Sequence, residues 1–290
     1  MHRLLTLVAK LPLSFLQLFG AFIGELVFWL APGYRRRTRA NLCAAGYTHK
    51  SIFARVGRNA GRQAMESIWV WYRPVETVLK HVHADEKAEK LIGDAMRSGR
   101  PIVFMTPHVG CFEVLPVWLA GTLYQGTGRR ITILYRPPRK KILRAVVGDA
   151  RQAPGIEAVP TTLIGVKRII RSLREGNTFG ALPDQVPSKG EGVWASFFGR
   201  PAYTMTLPVK VAHQFDAIRI FAWGVRGDDG WKVEAEEWTD PLTGDIHEDA
   251  LAMNRMIERI IRRMPEQYAW SYNRYKRPRG APTPEEGAHR

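Results

Sequence analysis

The stretch Pro101-Ile-Val-Phe-Met-Thr-Pro-His-Val-Gly-Cys-Phe-Glu-Val-Leu-Pro116 decides how this chain is read. Ile102–Met105 is a short apolar run with the look of a buried strand, and it feeds a Pro- and Gly-containing turn that presents His108. Glu113 follows five residues later, at the start of an apolar helix expected over about Phe112–Leu123. Gly110 leaves room for backbone to approach a ligand. In α/β folds ligand sites lie beyond the carboxyl ends of strands, which is where His108 would stand. An imidazole titrates near neutrality and can take a proton from an alcohol when a second group fixes its tautomer. Glu113 is placed to be that group. The same spacing also fits a surface histidine and a helix-start glutamate stabilised by the helix dipole. Cys111, between the two, would allow a cysteine nucleophile, although a small side chain packing the turn is the simpler reading.

Working outward, the pattern alternates between strand and helix. Acids at the start and Gly99 at the end mark a helix over Asp85–Arg97. Beyond the His108 turn, Ile131–Tyr135 reads as a strand, Arg139–Arg151 as a basic helix, and Ile156–Val159 as a strand. Thr162–Arg174 reads as a helix ended by Gly176, and Thr178–Leu182 as the next strand. This order predicts an α/β fold: a single domain with a mixed, largely parallel sheet flanked by helices. Ala217–Val225 and Trp231–Glu237 form an expected hairpin around Gly227-Asp-Asp-Gly230, which makes the sheet mixed. Trp194–Phe198 is a short apolar run. Helices are expected over Thr206–His213 and about His247–Met264. The expected organisation is an anchor over 1–32, one domain over 33–278, and a disordered Pro-, Gly- and acid-rich tail over 279–290.

The anchor is the segment LPLSFLQLFGAFIGELVFWLA, Leu11 to Ala31, whose only charge is Glu25. It is about the length that crosses a hydrocarbon core. Arg35, Arg36, Arg37 and Arg39 follow directly and would keep the next domain on the cytoplasmic side. Too long an apolar run and no small-residue cleavage site argue against a secretory signal. Glu25, Gln17 and two glycines leave open a helix lying flat in the interface. A buried core helix fits less well with the arginines at its end. Lys50–Tyr72 reads as a further helix with Ile52, Phe53, Val56, Ile68 and Trp71 near a 3.6 period. No acid occurs between Glu25 and Glu66, so this amino-terminal region suits an anionic leaflet.

The whole chain is basic, with 43 Lys+Arg against 27 Asp+Glu and a net charge of +16. Such an excess points to an anionic partner: nucleic acid, acidic lipid, a phosphorylated substrate or an acidic carrier protein. No nucleic-acid motif appears, and the aromatics are not interleaved with the basic residues as stacking platforms. A membrane-tethered basic binding protein is therefore the weaker reading. Two cysteines, Cys43 and Cys111, give neither a disulfide framework nor a zinc site, and the histidines have no paired metal-ligand spacing.

Thr106-Pro-His-Val-Gly-Cys-Phe-Glu113 resembles the His-x4-Asp/Glu block of the lysophospholipid acyltransferase superfamily. Within it, the chain is similar to the bacterial lipid A late acyltransferases of lauroyl/myristoyl type. Three further blocks match in order: Tyr135-Arg136-Pro137 with a basic helix carrying Arg151; Leu182-Pro183-Asp184-Gln185 with Phe197-Phe198-Gly199-Arg200-Pro201-Ala202; and Pro265-Glu-Gln-Tyr-Ala-Trp270 leading to Tyr272-Asn-Arg-Tyr-Lys-Arg-Pro278. The chain departs from many relatives at Cys111-Phe112, where they carry Asn-Trp. The resemblance implies transfer of a fatty acyl chain from an acyl carrier protein to a hydroxyl of a lipid A precursor, at the bacterial inner membrane. It requires no other cofactor. His108 would be the general base and Glu113 its orienting group. Arg151, Asp184 and Arg136 match functionally important positions. The arginines are suited to binding phosphate or a thioester oxyanion, and Asp184 to orienting an arginine. A lysophospholipid or another simple membrane lipid is the alternative acceptor.

Overall fold

The computed structural model describes residues 2–135 and 154–284. Arg136, Arg151 and the basic helix expected over Arg139–Arg151 lie outside the described residues. A seven-stranded sheet runs through the molecule in the order β1-β9-β8-β2-β5-β3-β4. Its strands are β1 (Val82–Ala84), β2 (Ile102–Met105), β3 (Ile131–Tyr135), β4 (Ile156–Pro160), β5 (Thr178–Ala181), β8 (Ile218–Arg226) and β9 (Trp231–Glu237). Only the β8–β9 pair is antiparallel, so the sheet is mixed and largely parallel. The three-residue β1, paired in parallel with β9, is too short to show a periodicity and escapes the sequence reading.

The fully buried β2 lies at the centre because it has no polar face to show water. Its side chains alternate between two apolar layers. Val103 and Met105 face a layer built from α8 (Leu163–Arg174), α9 (Leu207–Gln214) and α10 (Ile246–Arg263). Ile102 and Phe104 face a layer built from α6 (Glu86–Arg97), α7 (Val114–Gly121) and the carboxyl-terminal part of α4 (Lys50–Tyr72). The helix termini follow their sequence signals: Asp85 caps α6 and Thr162 caps α8, each accepting from a backbone N–H.

A second, two-stranded sheet pairs β6 (Gly192–Phe197) with β7 (Arg200–Met205). The sequence marks Trp194–Phe198 only as an apolar run. Phe198 and Gly199 form the two-residue turn, at φ of 47° and 71°. Both are left-handed, as a type I′ hairpin turn requires, and a bulky Phe there hides the signal. The tail expected to be disordered is docked as far as it is described. Ala281 is buried against Val186 and Tyr203, and the Trp194 indole donates to the Pro282 carbonyl at 2.9 Å.

The amino terminus is a layered helical unit: α1 (His2–Ala9), α2 (Leu13–Leu30), α3 (Pro32–Ala44) and α4, followed by the short α5 (Val75–Leu79). The long apolar segment is one helix, α2, of membrane-crossing length and apolarity, but it does not stand alone. One face, with Leu16, Gln17, Gly20, Gly24 and Phe28, packs on α4. The two glycines meet Gly57 and Gly61, so the backbones touch. A Cβ on Gly24 would lie 2.2 Å from the Gly57 carbonyl oxygen, and one on Gly61 would lie 1.9 Å from that of Gly20. Gly24→Val is expected to force the helices apart and cost about 1–3 kcal/mol, read as lower thermal stability and faster proteolysis of the first thirty residues. Glu25 is paired with Arg58 of α4, which explains an acid in an apolar helix. The opposite face leaves Phe15, Leu18 and Phe22 in solvent.

Candidate active site

Register places the site. β2 pairs in parallel with β5, with Met105 opposite Ala181, and with β8, with Met105 opposite Phe221. Three residues past Met105 is His108; three residues past Ala181 is Asp184. The two chains leave the sheet side by side, so their side chains meet. Asp184 engages His108 twice: its Oδ2 accepts from the His108 backbone N–H at 2.8 Å, and its Oδ1 lies 2.7 Å from His108 Nδ1. One carboxylate thus fixes the turn and the ring together.

Asp184 is 1% exposed. Burial alone would raise its carboxyl, but the His108 charge and hydrogen bonds, joined by the Arg274 guanidinium, outweigh it and leave the pKa lowered. An ionised carboxylate can only accept, so the proton between the two sits on Nδ1. When the ring is neutral, Nε2 is then the nitrogen with the lone pair. The side-chain amide of Gln185 donates to it at 2.9 Å. The basic nitrogen therefore points away from Asp184 and toward the cavity that His108 lines.

That cavity measures about 620 Å³ and is bordered by Trp71, Phe112, Leu134, Leu163, Val186 and Leu207, with Gln185, Glu191 and Lys210 among its polar lining. Its size and mixed lining suit a ligand with an apolar chain. Phe112 packs edge-on against the imidazole with ring centroids 4.6 Å apart. A smaller crevice reaches behind Phe112 and is lined by Glu113, Thr106 and Leu115.

The structure gives three of the expected residues contacts that the sequence reading did not foresee. Glu113 is buried at the start of α7, beside the site, but the bond that orients the imidazole through Nδ1 belongs to Asp184. Asp184 is aimed at the histidine rather than at an arginine in direct contact. Gly110, at φ 57°, makes its close approach to the chain itself: its Cβ would lie 2.0 Å from the Gly224 carbonyl oxygen, and its N–H donates to Gln267 at 3.0 Å. The glycine lets the turn dock on β8, and its N–H is taken by the Gln267 carbonyl.

Cys111 is fully buried, and burial, reinforced by the Glu66 carboxylate, pushes its thiol well above the ordinary range. A thiol held protonated is a poor nucleophile. Alkylation of the native protein is expected to modify the exposed Cys43 and spare Cys111, and Cys111→Ala is expected to retain acyl transfer. Peptide mass spectrometry and a rate assay check the two. A trapped acyl-cysteine would reverse the assignment.

Three residues in the last sequence block turn out to back the site. Tyr268 forms a β-bridge with Val109, and the Ala269 N–H donates to the His108 carbonyl at 3.1 Å, so this segment braces the turn from the other side. Arg274 is buried, donating to the Tyr203 carbonyl at 2.7 Å and the Thr204 hydroxyl at 2.8 Å. Burial pushes the Tyr268 phenol up, and the negative charge of Asp184 adds to the shift. No spacing rule links residues 268 and 274 to residue 108. Gln185 had a sequence signal, since it follows Asp184 at the end of the next strand.

A family model described as bacterial lipid A biosynthesis acyltransferase matches residues 2–277. The chain belongs to that family. It is similar to the lipid A biosynthesis palmitoleoyltransferase of Escherichia coli (strain K12), 25% identical over 94% of this chain and 88% of the relative. It is also similar to the lipid A biosynthesis acyltransferase of Haemophilus influenzae, 28% identical over 62% of this chain, a stretch that spans 55% of that relative's length. A third relative, lipid A biosynthesis acyltransferase 2 of Shigella flexneri, is 24% identical over 91% of this chain and 84% of its own. As a lipid A biosynthesis acyltransferase, the protein is an enzyme that transfers acyl groups, and the cavity beside His108 is its candidate active site.

Proposed function

We propose that the enzyme transfers a fatty acyl chain from an acyl carrier protein thioester to a hydroxyl on a 3-hydroxyacyl chain of a lipid A precursor. The observation that carries this is the imidazole fixed by Asp184 with Nε2 turned to the cavity. In this reading the acceptor hydroxyl takes the place of the Gln185 amide at Nε2. His108 removes its proton as the oxygen attacks the thioester carbonyl. The tetrahedral intermediate collapses, the C–S bond breaks, and the proton passes from His108 to the departing carrier thiolate. No covalent acyl-enzyme is needed. Asp184 stabilises the imidazolium that forms and keeps the ring oriented. Glu113, buried at the start of α7, lines the neighbouring crevice with Phe112. Arg151 and Arg136 remain the proposed groups for phosphate or for the oxyanion.

The charge distribution supports anionic partners. A basic chain with arginines directly after an apolar helix suits an anionic inner-membrane leaflet, an acidic carrier protein and a phosphorylated acceptor on the cytoplasmic side. The packing of α2 on α4 favours a helix lying in the interface over a lone spanning helix, because only its outer face is free for lipid. The test is the mass spectrum of lipid A from cells lacking this protein. Loss of one secondary acyl chain is expected, restored by the intact gene. Unchanged lipid A would move the acceptor to a simpler membrane lipid.

A further inference from the structure

Among the described residues, the large hydrophobic side chains left in solvent fall in two places. All but two lie between Leu4 and Leu30, on α1 and α2 and the elbow between them. The other two are Leu163 and Ile164, 82% and 67% exposed, the first two residues of α8. Isolated exposed apolar residues are ordinary, but an adjacent Leu–Ile pair on a fixed turn is not. The turn is fixed from both ends. The Thr162 hydroxyl accepts from the Gly165 N–H at 3.3 Å, and Gly165 is pressed so close to the end of β4 that its Cβ would lie 1.9 Å from the Pro160 carbonyl oxygen. The pair cannot fold back into the core without lifting α8 off the sheet.

Its surroundings say what it faces. The helix Leu163–Arg174 carries Lys167, Arg168, Arg171 and Arg174 and no acid; Glu157 pairs with Arg168 and Glu175 with Arg171, and the balance behind the apolar tip is still positive. Leu163 also borders the cavity of His108, and so does Trp71 at the end of α4. The residues flanking Trp71 hold the α1–α2 elbow: the Trp69 indole donates to the Leu11 carbonyl at 3.3 Å and Arg73 to the Lys10 carbonyl at 2.7 Å. Leu163 therefore borders the cavity directly, and the amino-terminal patch is tied to the same cavity through the end of α4, where Trp71 lines it.

We propose that Leu163 and Ile164 are a second membrane contact, inserting at the headgroup–acyl boundary of an anionic bilayer beside the cavity mouth. The proposal rests on the membrane reading of α1 and α2. With both patches engaged, a lipid acceptor passes from the leaflet into the cavity without its acyl chains crossing water. Lys167 and the arginines behind the tip meet anionic headgroups while the Leu–Ile pair enters the apolar layer.

The experiment uses the full chain and mixed phosphatidylethanolamine/phosphatidylglycerol vesicles. Ile164→Cys in a Cys43→Ser background carries a polarity-sensitive fluorophore, and Ile164→Ser is compared with the parent in vesicle co-sedimentation. The expected result is a blue shift on adding vesicles, quenching by brominated lipids, and partitioning of Ile164→Ser weaker by roughly tenfold. If the parent itself fails to bind vesicles, the membrane reading fails and the proposal with it. If the parent binds, the label stays in water and Ile164→Ser binds equally well, the proposal alone is overturned. A label already shielded before vesicles are added would mean that another part of the chain covers the pair, and that overturns it too. A shift produced by acyl carrier protein and not by vesicles would make the tip a protein-docking site instead.

Discussion

His108→Ala and Asp184→Asn are each expected to lower acyl transfer by about 10²–10⁴-fold while the fold is retained. The two fail for different reasons. Alanine removes the base. Asparagine keeps the size of Asp184 but can present an amide N–H to Nδ1, which moves the ring proton to Nε2, where a hydroxyl would need a lone pair. Rates with an acyl carrier protein thioester and a lipid A precursor measure both, with circular dichroism as the folding control. Parental rates in His108→Ala would end the general-base assignment. A silent Asp184→Asn alongside a dead Glu113→Gln would return the orienting role to Glu113. The pH dependence has a definite sign. The Asp184 carboxyl is held below its ordinary range, so the stability it contributes is fully present above the unfolded carboxylate pKa. That contribution is lost only as pH falls through the lowered folded value, on the acid side of ordinary carboxylate titration.

Arg226→Met is expected to destabilise the protein by about 3–5 kcal/mol, the largest effect on stability of any single change considered. Arg226 and Glu66 are buried and joined through both guanidinium and carboxylate, with a 2.6 Å bond from Nη2 to Oε2. Gln17 of α2 donates to the same Glu66 at 2.8 Å, and Asn59 of α4 accepts from Arg226 at 2.8 Å. The Arg226 N–H donates to the Gln267 side chain at 3.0 Å, and the Gln267 carbonyl accepts from Gly110. One ion pair therefore ties the amino-terminal helices to β8 and to the turn that carries His108. Removing the arginine leaves a buried carboxylate without its partner, which costs more than the pair is worth. Chemical denaturation measures the loss, and the double change Glu66→Leu/Arg226→Met is expected to recover much of it. If Arg226→Met alone is neutral, the network is not what fixes the amino-terminal unit.

The length and apolarity of Leu13–Leu30 were plain in the sequence, because they are properties of one segment. Its partner was not. Gly20, Gly24, Gly57 and Gly61 carry no local signal that sets them against each other, and Gln17 and Glu66 are separated by 49 positions. Only packing makes the helix half-buried and turns its polar residues into contacts with α4. Phe198 gave the opposite kind of difficulty: its left-handed φ is imposed by the hairpin around it, against its own preference.

The same distinction applies to the stretch Pro101–Pro116. Strand, turn and the histidine they present were legible there, because an apolar run, a proline and a glycine act locally. Four ordered motif blocks also carried the family resemblance, and the match over residues 2–277 bears it out. The choice between Glu113 and Asp184 as partner of the imidazole could not be made from sequence. Glu113 is near in the chain, whereas Asp184 is near only because β2 and β5 run parallel with Met105 opposite Ala181. Hydrogen bonds between side chains depend on ångström distances across strands, and sequence separation does not encode those. The sequence determined that a histidine stands just beyond a buried strand of an α/β sheet; the register of that sheet decided which carboxylate bonds it.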